Sequence, residues 1–142
     1  MMISSKGRYA LRVMIDLAEH ADEGHIPLQT IAVRQGISEK YLESILAVLS
    51  KARLLDAVRG KGGGYRLSRP AKDYTAFEIL SLTEGTLAPV TCLESGQQCE
   101  NAENCRTLPL WQGLDRTIAA YLGSYTLEDL ARMEKPLQHA EL

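Results

Sequence analysis

Apolar residues recur at the spacing of an α-helix in several separate stretches of the chain. In the first stretch, residues 4–20, one predicted face carries Ala10, Val13, Met14, Leu17 and Ala18. Residues separated by three, four or seven positions share one side of a helix, so this face is expected to be buried. Gly24 and Pro27 interrupt the pattern. We therefore predict a first amphipathic helix that ends ahead of Gly24.

Two further helical patterns follow, joined by a turn at Gly36 and Ile37. The first of them is short and has three apolar residues on one face, Leu28, Ile31 and Ala32. Ser38 precedes the second and can cap it, because its hydroxyl can accept a hydrogen bond from a first-turn N–H group. Helix, turn and helix form a helix-turn-helix pattern, whose second helix typically enters the major groove of DNA.

The helix after Ser38 has two chemically different faces. Its apolar face consists of Leu42, Ile45, Leu46 and Leu49. Its opposite face carries small or hydrogen-bonding side chains, namely Lys40, Glu43, Ser44 and Ala47. A face without bulky apolar residues suits contacts with the donor and acceptor groups of base edges.

Two strand-like runs, residues 54–59 and 65–68, are separated by a segment with four glycines in five positions, Gly60 to Gly64. Glycine tolerates positive φ angles and lets the backbone approach another surface closely. A β-hairpin wing is the simplest interpretation, with an ordinary flexible hairpin as the plain alternative. A nucleotide-binding loop is disfavoured, because no Ser or Thr and no helical pattern follow Lys61 and the glycines.

The second half of the chain begins after Pro70 with a helical pattern over residues 74–84. Residues 85–106 then lose periodicity, become polar and contain all three cysteines, Cys92, Cys99 and Cys105. A loop of this length is uncommon in a compact domain unless it is functional or disordered. We therefore treat it as a candidate sensor loop.

A long helix is predicted after this loop, with Thr107 as a possible cap and Pro109 in its first turn. Its apolar stripe consists of Trp111, Leu114, Ile118, Tyr121, Leu122 and Tyr125. The stripe extends beyond what the winged domain needs for its own core, so we favour a helix–helix contact between two copies. Packing against its own chain is the alternative. Thr126 and Asp129 have the spacing of a capping box for a last short helix.

These patterns predict a mainly α fold with a small β-hairpin wing, in the α+β class. We assign residues 1–84 to a winged helix-turn-helix DNA-binding domain and residues 85–106 to the cysteine-containing sensor loop. Residues 107–142 are assigned to a dimerisation helix and a C-terminal helix.

Charge is distributed unevenly along the chain. The net charge of the 142 residues is −2. Residues 1–72 contain 12 Lys and Arg against 7 Asp and Glu, a net charge of +5, whereas residues 73–142 contain 4 against 11, a net charge of −7. A basic half joined to an acidic half is expected if only the first meets phosphate, although an idle surface asymmetry is the alternative.

The overall composition is that of an ordinary soluble domain, with 45% hydrophobic and 24% charged residues. No apolar run reaches the ~18 residues of a membrane span. No signal peptide is apparent after Lys6, Arg8 and Arg12. We expect no membrane association and a cytoplasmic location.

The cysteine spacing, C-x6-C-x5-C, restricts the chemistry of the loop. An odd number of cysteines in a cytoplasmic protein disfavours a disulfide framework. Zinc sites usually include a C-x2-C pair or nearby histidines, which the loop lacks. Three thiolates on one loop can instead converge on an iron–sulfur cluster. Thiol redox sensing, zinc and the absence of any cofactor remain alternatives.

Several motifs resemble the Rrf-type winged-helix transcription regulators, a family with IscR-, NsrR-, RirA- and CymR-like members. They are "SSKGRYALRVMIDLA", "ISEKYLESIL", "VRGKGGGYRLSRP", the three-cysteine loop, "LPLW" and "TLEDLA". The resemblance implies a homodimer that binds double-stranded DNA at a palindromic operator. By position it assigns the major groove and its phosphates to Ser38, Lys40, Tyr41, Glu43 and Ser44. It assigns the wing contact to Arg59, Gly60 and Lys61, with Arg59 suited to a narrow minor groove.

The resemblance also implies that Cys92, Cys99 and Cys105 hold an iron–sulfur cluster that reports iron, redox or nitric oxide status. IscR-like members supply a fourth ligand as a His three residues after the last cysteine, where this chain has Leu108. NsrR-like members use an Asp from the partner's first helix, where this chain has Arg8. The fourth ligand and the nuclearity of the cluster are therefore open. The candidates are a carboxylate such as Glu94, Glu103 or Asp115, a solvent or small-molecule ligand, or no fourth ligand at all.

Other functions follow from the same sequence. A cluster-free regulator of the CymR type would be controlled by a partner protein or by thiol oxidation. A winged-helix module could also bind a protein through its acidic half. We expect no enzymatic activity, because the chain has no Cys-x-x-Cys and no convincing general base.

Overall fold

The computed structural model describes residues 2–94 and 99–134. It contains helices α1 (Ser5–Glu19), α2 (Leu28–Gln35), α3 (Glu39–Lys51), α4 (Ala76–Glu84), α5 (Leu108–Gly123) and α6 (Leu127–Arg132). A hairpin of strands β1 (Leu55–Val58) and β2 (Gly64–Leu67) lies between α3 and α4. The predicted mainly α fold with a hairpin wing is thus confirmed. The parts of the assigned segments at residue 1, residues 95–98 and residues 135–142 lie outside the described residues.

One hydrophobic core joins α1, α2, α3, α4 and α6. The apolar faces predicted for α1 and α3 are both inside it, and Val13, Met14 and Leu46 are completely buried. Burial of a large aliphatic side chain contributes about 1.5–3 kcal/mol, so these two faces supply much of the energy that holds the helices together. The core forms because each helix has a single apolar stripe, and the stripes can be removed from water only against one another.

Local signals define the helix-turn-helix as predicted. The hydroxyl of Ser38 accepts a hydrogen bond from the N–H of Tyr41 at 3.1 Å. Gly36 ends α2 with a φ of 66°, in the left-handed region that favours glycine. The turn between α2 and α3 therefore follows directly from local sequence.

A buried ion pair that no sequence pattern indicated fixes α2 against α1. Asp16 is only 3% exposed. Its carboxylate accepts hydrogen bonds from Arg34 at 2.6 and 3.0 Å and from the side-chain amide of Gln35 at 2.9 Å. The hydrogen bond to Asp16 raises the pKa of the Arg34 guanidinium above its ordinary value. A buried charge is tolerated when it is paired and hydrogen-bonded in this way, so the contact specifies how the helix-turn-helix sits on α1.

The wing is attached to the rest of the domain by backbone pairing. Strands β1 and β2 are antiparallel, with Leu55 opposite Leu67 and Val58 opposite Gly64. On the other side of β2, Ile26 and Tyr65 exchange hydrogen bonds of 2.8 and 2.9 Å between their backbone groups. A Cβ atom on Gly64 would overlap the carbonyl oxygen of Ile26. Only glycine therefore allows the wing to approach the segment before α2 so closely.

Helix α5 differs from the others, because none of its residues is fully buried. It lies against α4, while Leu110, Leu114 and Tyr121 are 62%, 41% and 61% exposed. Thr107 occupies the position before α5, but its side chain makes no capping hydrogen bond. The capping box of Thr126 and Asp129 is present at α6. Among the described helices, none has the length and apolarity that a membrane crossing requires.

Candidate nucleic-acid interface

The polar face of α3 points away from the core, as its spacing predicts. Ser38, Lys40, Glu43 and Ser44 are exposed, and Tyr41 is half-buried. The hydroxyl of Ser44 donates to the backbone carbonyl of Tyr41 at 2.6 Å. The face therefore presents a cation, a carboxylate and hydroxyl groups on a rigid helix, which is the arrangement that reads base edges in a major groove.

The tip of the wing is shaped by its glycines. Gly60 and Gly62 have φ angles of 92° and 79°, a conformation that other residues rarely adopt. The N–H of Gly63 donates to the carbonyl of Gly60 at 3.0 Å. Arg59, Gly60 and Lys61 are all exposed at this tip. The wing thus carries two cations on a narrow backbone with little side-chain bulk.

A groove of about 590 Å³ separates the wing from α3. Glu43, Ala47 and Ser50 form its α3 wall, and Arg59 and Gly60 belong to its wing wall. The start of α2 closes one end of the groove, at residues 27–29. The structure thus brings Glu43, Arg59 and Gly60 to one concave surface. The other predicted contacts, Ser38, Lys40, Tyr41, Ser44 and Lys61, lie on the exposed surface outside its lining.

A second basic position that the sequence analysis did not assign lies beside the first turn of α3. The guanidinium carbon of Arg12 is 4.7 Å from the ring centroid of Tyr9. Arg12 also donates to the side-chain and backbone oxygens of Gln35 at 3.1 and 3.0 Å. The Tyr9 ring meets the Tyr41 ring edge to face, with centroids 5.8 Å apart. Arg12 is therefore held next to α3 by contacts between residues far apart in sequence, which no local pattern reveals.

The cations of the domain fall into two groups. Arg34, Arg66 and Arg69 pair with Asp16, Asp56 and Glu78 at N–O distances of 2.6, 3.7 and 2.7 Å. Within residues 2–94 and 99–134, by contrast, no carboxylate lies within ion-pair distance of Arg12, Lys40, Arg59 or Lys61. Lys6, Arg8, Lys51, Arg53 and Lys72 have no such partner there either, so unpaired cations are not confined to α3 and the wing. The charge of the four that lie on or beside α3 and on the wing is available to an external anion such as a phosphate backbone.

The cysteine loop lies next to the start of α5. Cys92 and Cys99 are exposed and line one groove of about 410 Å³, together with Glu103 and Leu108. Cys105 is half-buried and is not part of this lining. In the part of the chain that the structure describes, no three His, Cys, Asp or Glu side chains are gathered as a metal site. The structure therefore brings two of the three predicted cysteine ligands together.

The donor chemistry of the loop nevertheless fits an iron–sulfur cluster. The thiol of Cys105 lies 3.4 Å from the hydroxyl of Thr107. This hydroxyl, followed by the backbone N–H groups of Thr107 and Leu108, lowers the pKa of Cys105. Iron binds the thiolate form of cysteine, so a lowered pKa favours ligation. Of the three candidate carboxylates for a fourth ligand, Glu103 lines the same groove as Cys92 and Cys99, whereas Glu94 and Asp115 do not.

Comparison with known proteins finds relatives that resemble this chain over almost its whole length. Residues 3–133 match the model of the family Rrf2, described as iron-dependent transcriptional regulator. The HTH-type transcriptional regulator IscR of Xenorhabdus nematophila is 39% identical over 141 residues, which cover 99% of this chain and 85% of that protein. Among solved structures, CymR, the global cysteine regulator of B. subtilis, gives a TM-score of 0.77 at 37% identity over 95% of this chain and 99% of that chain. IscR of T. potens gives a TM-score of 0.73 at 35% identity over 96% of this chain and 94% of that chain.

These homologues are transcriptional regulators and not enzymes, which agrees with the expectation from the sequence. Their similarity covers the helix-turn-helix, the wing, the cysteine loop and α5 rather than a single motif. Because the family model spans nearly the whole chain and full-length relatives exceed 30% identity, this chain belongs to the Rrf2 family of transcriptional regulators.

Proposed function

We propose that this regulator acts in the cytoplasm as a homodimer on a palindromic DNA operator, and that an iron–sulfur cluster on the cysteine loop controls its binding. The observation that carries the DNA part is the groove between α3 and the wing. Its walls bring Glu43 from the polar face of α3 and Arg59 of the wing to one surface. Two elements placed in this way can straddle one phosphate backbone, with α3 in the major groove and the wing in the adjacent minor groove.

In this arrangement, Lys40, Glu43 and Ser44 address base edges, while Ser38 and Tyr41 lie at the end of α3 where the backbone passes. Arg59 enters the minor groove, whose negative potential is strongest where it is narrow. Gly60 keeps the tip thin, and Lys61 adds a phosphate contact. Arg12 supplies a further phosphate contact, since its exposed guanidinium is held by Tyr9 and Gln35 and has no carboxylate partner in the described residues.

A second copy of the chain would cover the exposed face of α5. Leu110, Leu114 and Tyr121 form an apolar stripe on this helix, and an exposed apolar stripe is stabilised when a like stripe removes it from water. Between them, Gly113, Thr117 and Ala120 are small enough for two helices to approach closely. A twofold dimer places two α3 helices on one side of the molecule, as a palindromic operator requires.

Cys92, Cys99 and Cys105 would hold the cluster, with Glu103 as the best-placed carboxylate for a fourth ligand. When bound, a cluster supplies chemistry that responds to oxygen, nitric oxide and iron shortage. The chain itself would pass the effect of ligation on to the dimer, because the loop leads directly into α5. Ligation by Cys92, Cys99 and Cys105 would bias the position of α5. The separation of the two α3 helices would then change relative to the ~34 Å of one DNA turn.

The test is an ultraviolet–visible spectrum of protein purified without oxygen, with iron and acid-labile sulfide counted per chain. We expect visible absorption with matching iron and sulfide, and loss of both in Cys99→Ser. Glu103→Gln should lower cluster retention, whereas Glu100→Gln, on the same groove, should not. A full cluster in Cys99→Ser would contradict the ligand set. Footprinting on DNA upstream of the protein's own gene tests the operator.

A second candidate function is a cluster-free regulator controlled by thiol oxidation or by a partner protein. The similarity to CymR along almost the whole chain and the lowered pKa of Cys105 favour it, because a thiolate is the form that oxidants attack. A colourless protein that takes up no iron on reconstitution would select this candidate. Its operator affinity should then change after peroxide treatment and recover with dithiothreitol, or change on addition of a partner.

A further inference from the structure

Tyr74, just ahead of α4, is fully buried and holds the base of the wing with its hydroxyl group. The hydroxyl donates to the carbonyl of Leu54 at 2.7 Å and accepts from the N–H groups of Ser68 and Arg69, both at 3.0 Å. Leu54 immediately precedes β1, and Ser68 follows β2. One phenol thus joins the two ends of the hairpin where they leave the domain.

The same ring is fixed from its other side. The guanidinium carbon of Arg69 lies 4.2 Å from the Tyr74 ring centroid. Arg69 also pairs with Glu78 of α4 at 2.7 Å. The cation–π contact and the ion pair therefore tie the end of the wing to the first turn of α4.

The backbone around Tyr74 is bonded to the junction between α5 and α6. Its carbonyl accepts from the N–H of Leu127 at 3.0 Å, and the N–H of Ala76 donates to the carbonyl of Tyr125 at 2.9 Å. Thr75 and Thr126 form an isolated antiparallel bridge between these two segments. Residues 74–76 therefore contact the wing through the Tyr74 side chain and the α5–α6 junction through the main chain.

We infer that Tyr74 is a positioning residue that sets the angle of the wing on α3 and couples this angle to the α5–α6 junction. A residue needed only to fill the core would require an apolar ring, since a buried hydroxyl must find partners to avoid a desolvation cost. All three of its closest partners are backbone groups at the wing base. This role rests on the proposed function, because it gives a route by which a displacement of α5 would reach the contact of Arg59 with the minor groove.

The test compares Tyr74→Phe with Ile79→Val, a buried change in α4 of similar expected destabilisation that removes no hydrogen bond at the wing base. Tyr74→Phe removes all three backbone hydrogen bonds at the base of the wing and should weaken operator binding about tenfold. In an Arg59→Ala/Lys61→Ala background the same change should have less than about a twofold effect, since both wing contacts that it positions are already absent. An undiminished loss in that background would show a general stability role and overturn the inference, as would unchanged binding by Tyr74→Phe alone.

Amide hydrogen exchange on the full chain without DNA separates this inference from the proposed function. Tyr74→Phe should speed exchange about tenfold at residues 68–69 and also at Leu127, whereas Ile79→Val should not affect these sites selectively. Faster exchange at both places supports the coupling even if the protein binds no operator. Faster exchange at the wing base alone would overturn the coupling to α5.

Discussion

The winged helix-turn-helix and helix α5 are both amphipathic, yet only the first buries its apolar side chains within one chain. Val13, Met14 and Leu46 are completely buried, whereas Leu110 and Tyr121 of α5 remain about three-fifths exposed. The halves of the chain that contain these two regions also differ in charge, +5 for residues 1–72 against −7 for residues 73–142. The winged domain is thus structurally complete within one chain once α4 and α6 join its core. Helix α5 and the cysteine loop instead leave an apolar stripe and two thiols exposed.

The largest effect is expected from a truncation in the hydrophobic core of the winged domain. Leu46→Ala should lower the free energy of unfolding by about 2–5 kcal/mol, because it leaves a cavity among completely buried side chains. Leu114→Ala removes the same atoms from a site that is exposed in the single chain and should cost less than about 1 kcal/mol when unfolding is measured at a concentration too low for dimerisation. Denaturant unfolding followed by circular dichroism measures both. Equal losses would show that α5 belongs to the same core and would remove the contrast.

A charge on the exposed stripe tests what covers α5. Leu114→Glu should weaken dimerisation about 100-fold, because a carboxylate would have to be desolvated in the contact. Gln112→Glu adds the same charge on another side of α5 and serves as the control. Sedimentation equilibrium gives the dissociation constant of each variant. A dimer unaffected by Leu114→Glu would place the interface elsewhere.

The next variant tests whether Arg12 contributes a phosphate contact on the DNA-facing side. Arg12→Ala should reduce operator affinity about five- to tenfold on any sequence and lower the slope of log K against log salt by about one, as expected for a lost phosphate contact. Arg132→Ala removes an exposed arginine from α6, where it pairs with Glu128, and should leave the slope unchanged. Fluorescence anisotropy at several salt concentrations provides the measurement. An unaltered slope for Arg12→Ala would assign this residue to holding α1 and α2 together.

The smallest effect concerns pH and the capping box of α6. The backbone N–H of Thr126, followed by its hydroxyl, lowers the pKa of Asp129. A depressed folded-state pKa contributes stability that is present above the unfolded value of about 3.9 and is lost as pH falls through the lower folded value. The stability difference between the natural chain and Asp129→Asn should therefore shrink below about pH 4. Denaturant titrations from about pH 2 to about pH 7, a range that spans the unfolded value of about 3.9, would detect it, and a constant difference would contradict it.

Much of the candidate site was predictable because its signals are local. The capping by Ser38, the turn at Gly36 and the exposed face with Glu43 each depend on residues within one or two helical turns. The wing was predictable from its glycines, although the reason for Gly64 was not, since its steric constraint comes from Ile26. Thr107 shows the limit of a local signal, because its hydroxyl lies against Cys105 instead of capping α5.

Contacts between residues that are far apart along the chain could not be predicted from the sequence. Arg34 pairs with Asp16 across two helices, Arg12 reaches Gln35, and Tyr74 reaches Leu54. Each of these side chains could equally have faced water on its own helix or loop. Which of the exposed-looking polar residues finds a partner depends on how the helices are arranged in space.

Local sequence was enough to predict the order and type of the elements, the two-sided character of α3, the glycine-rich wing and the three thiols on one loop. These features were predictable because periodicity and turn chemistry depend on residues a few positions apart. Three relations emerged only once the chain was folded: α3 and the wing share one groove, Cys92 and Cys99 line one groove at the start of α5, and Tyr74 links the wing base to the α5–α6 junction. These relations arise when apolar faces pack against one another, because packing fixes the distances between segments that no local pattern records.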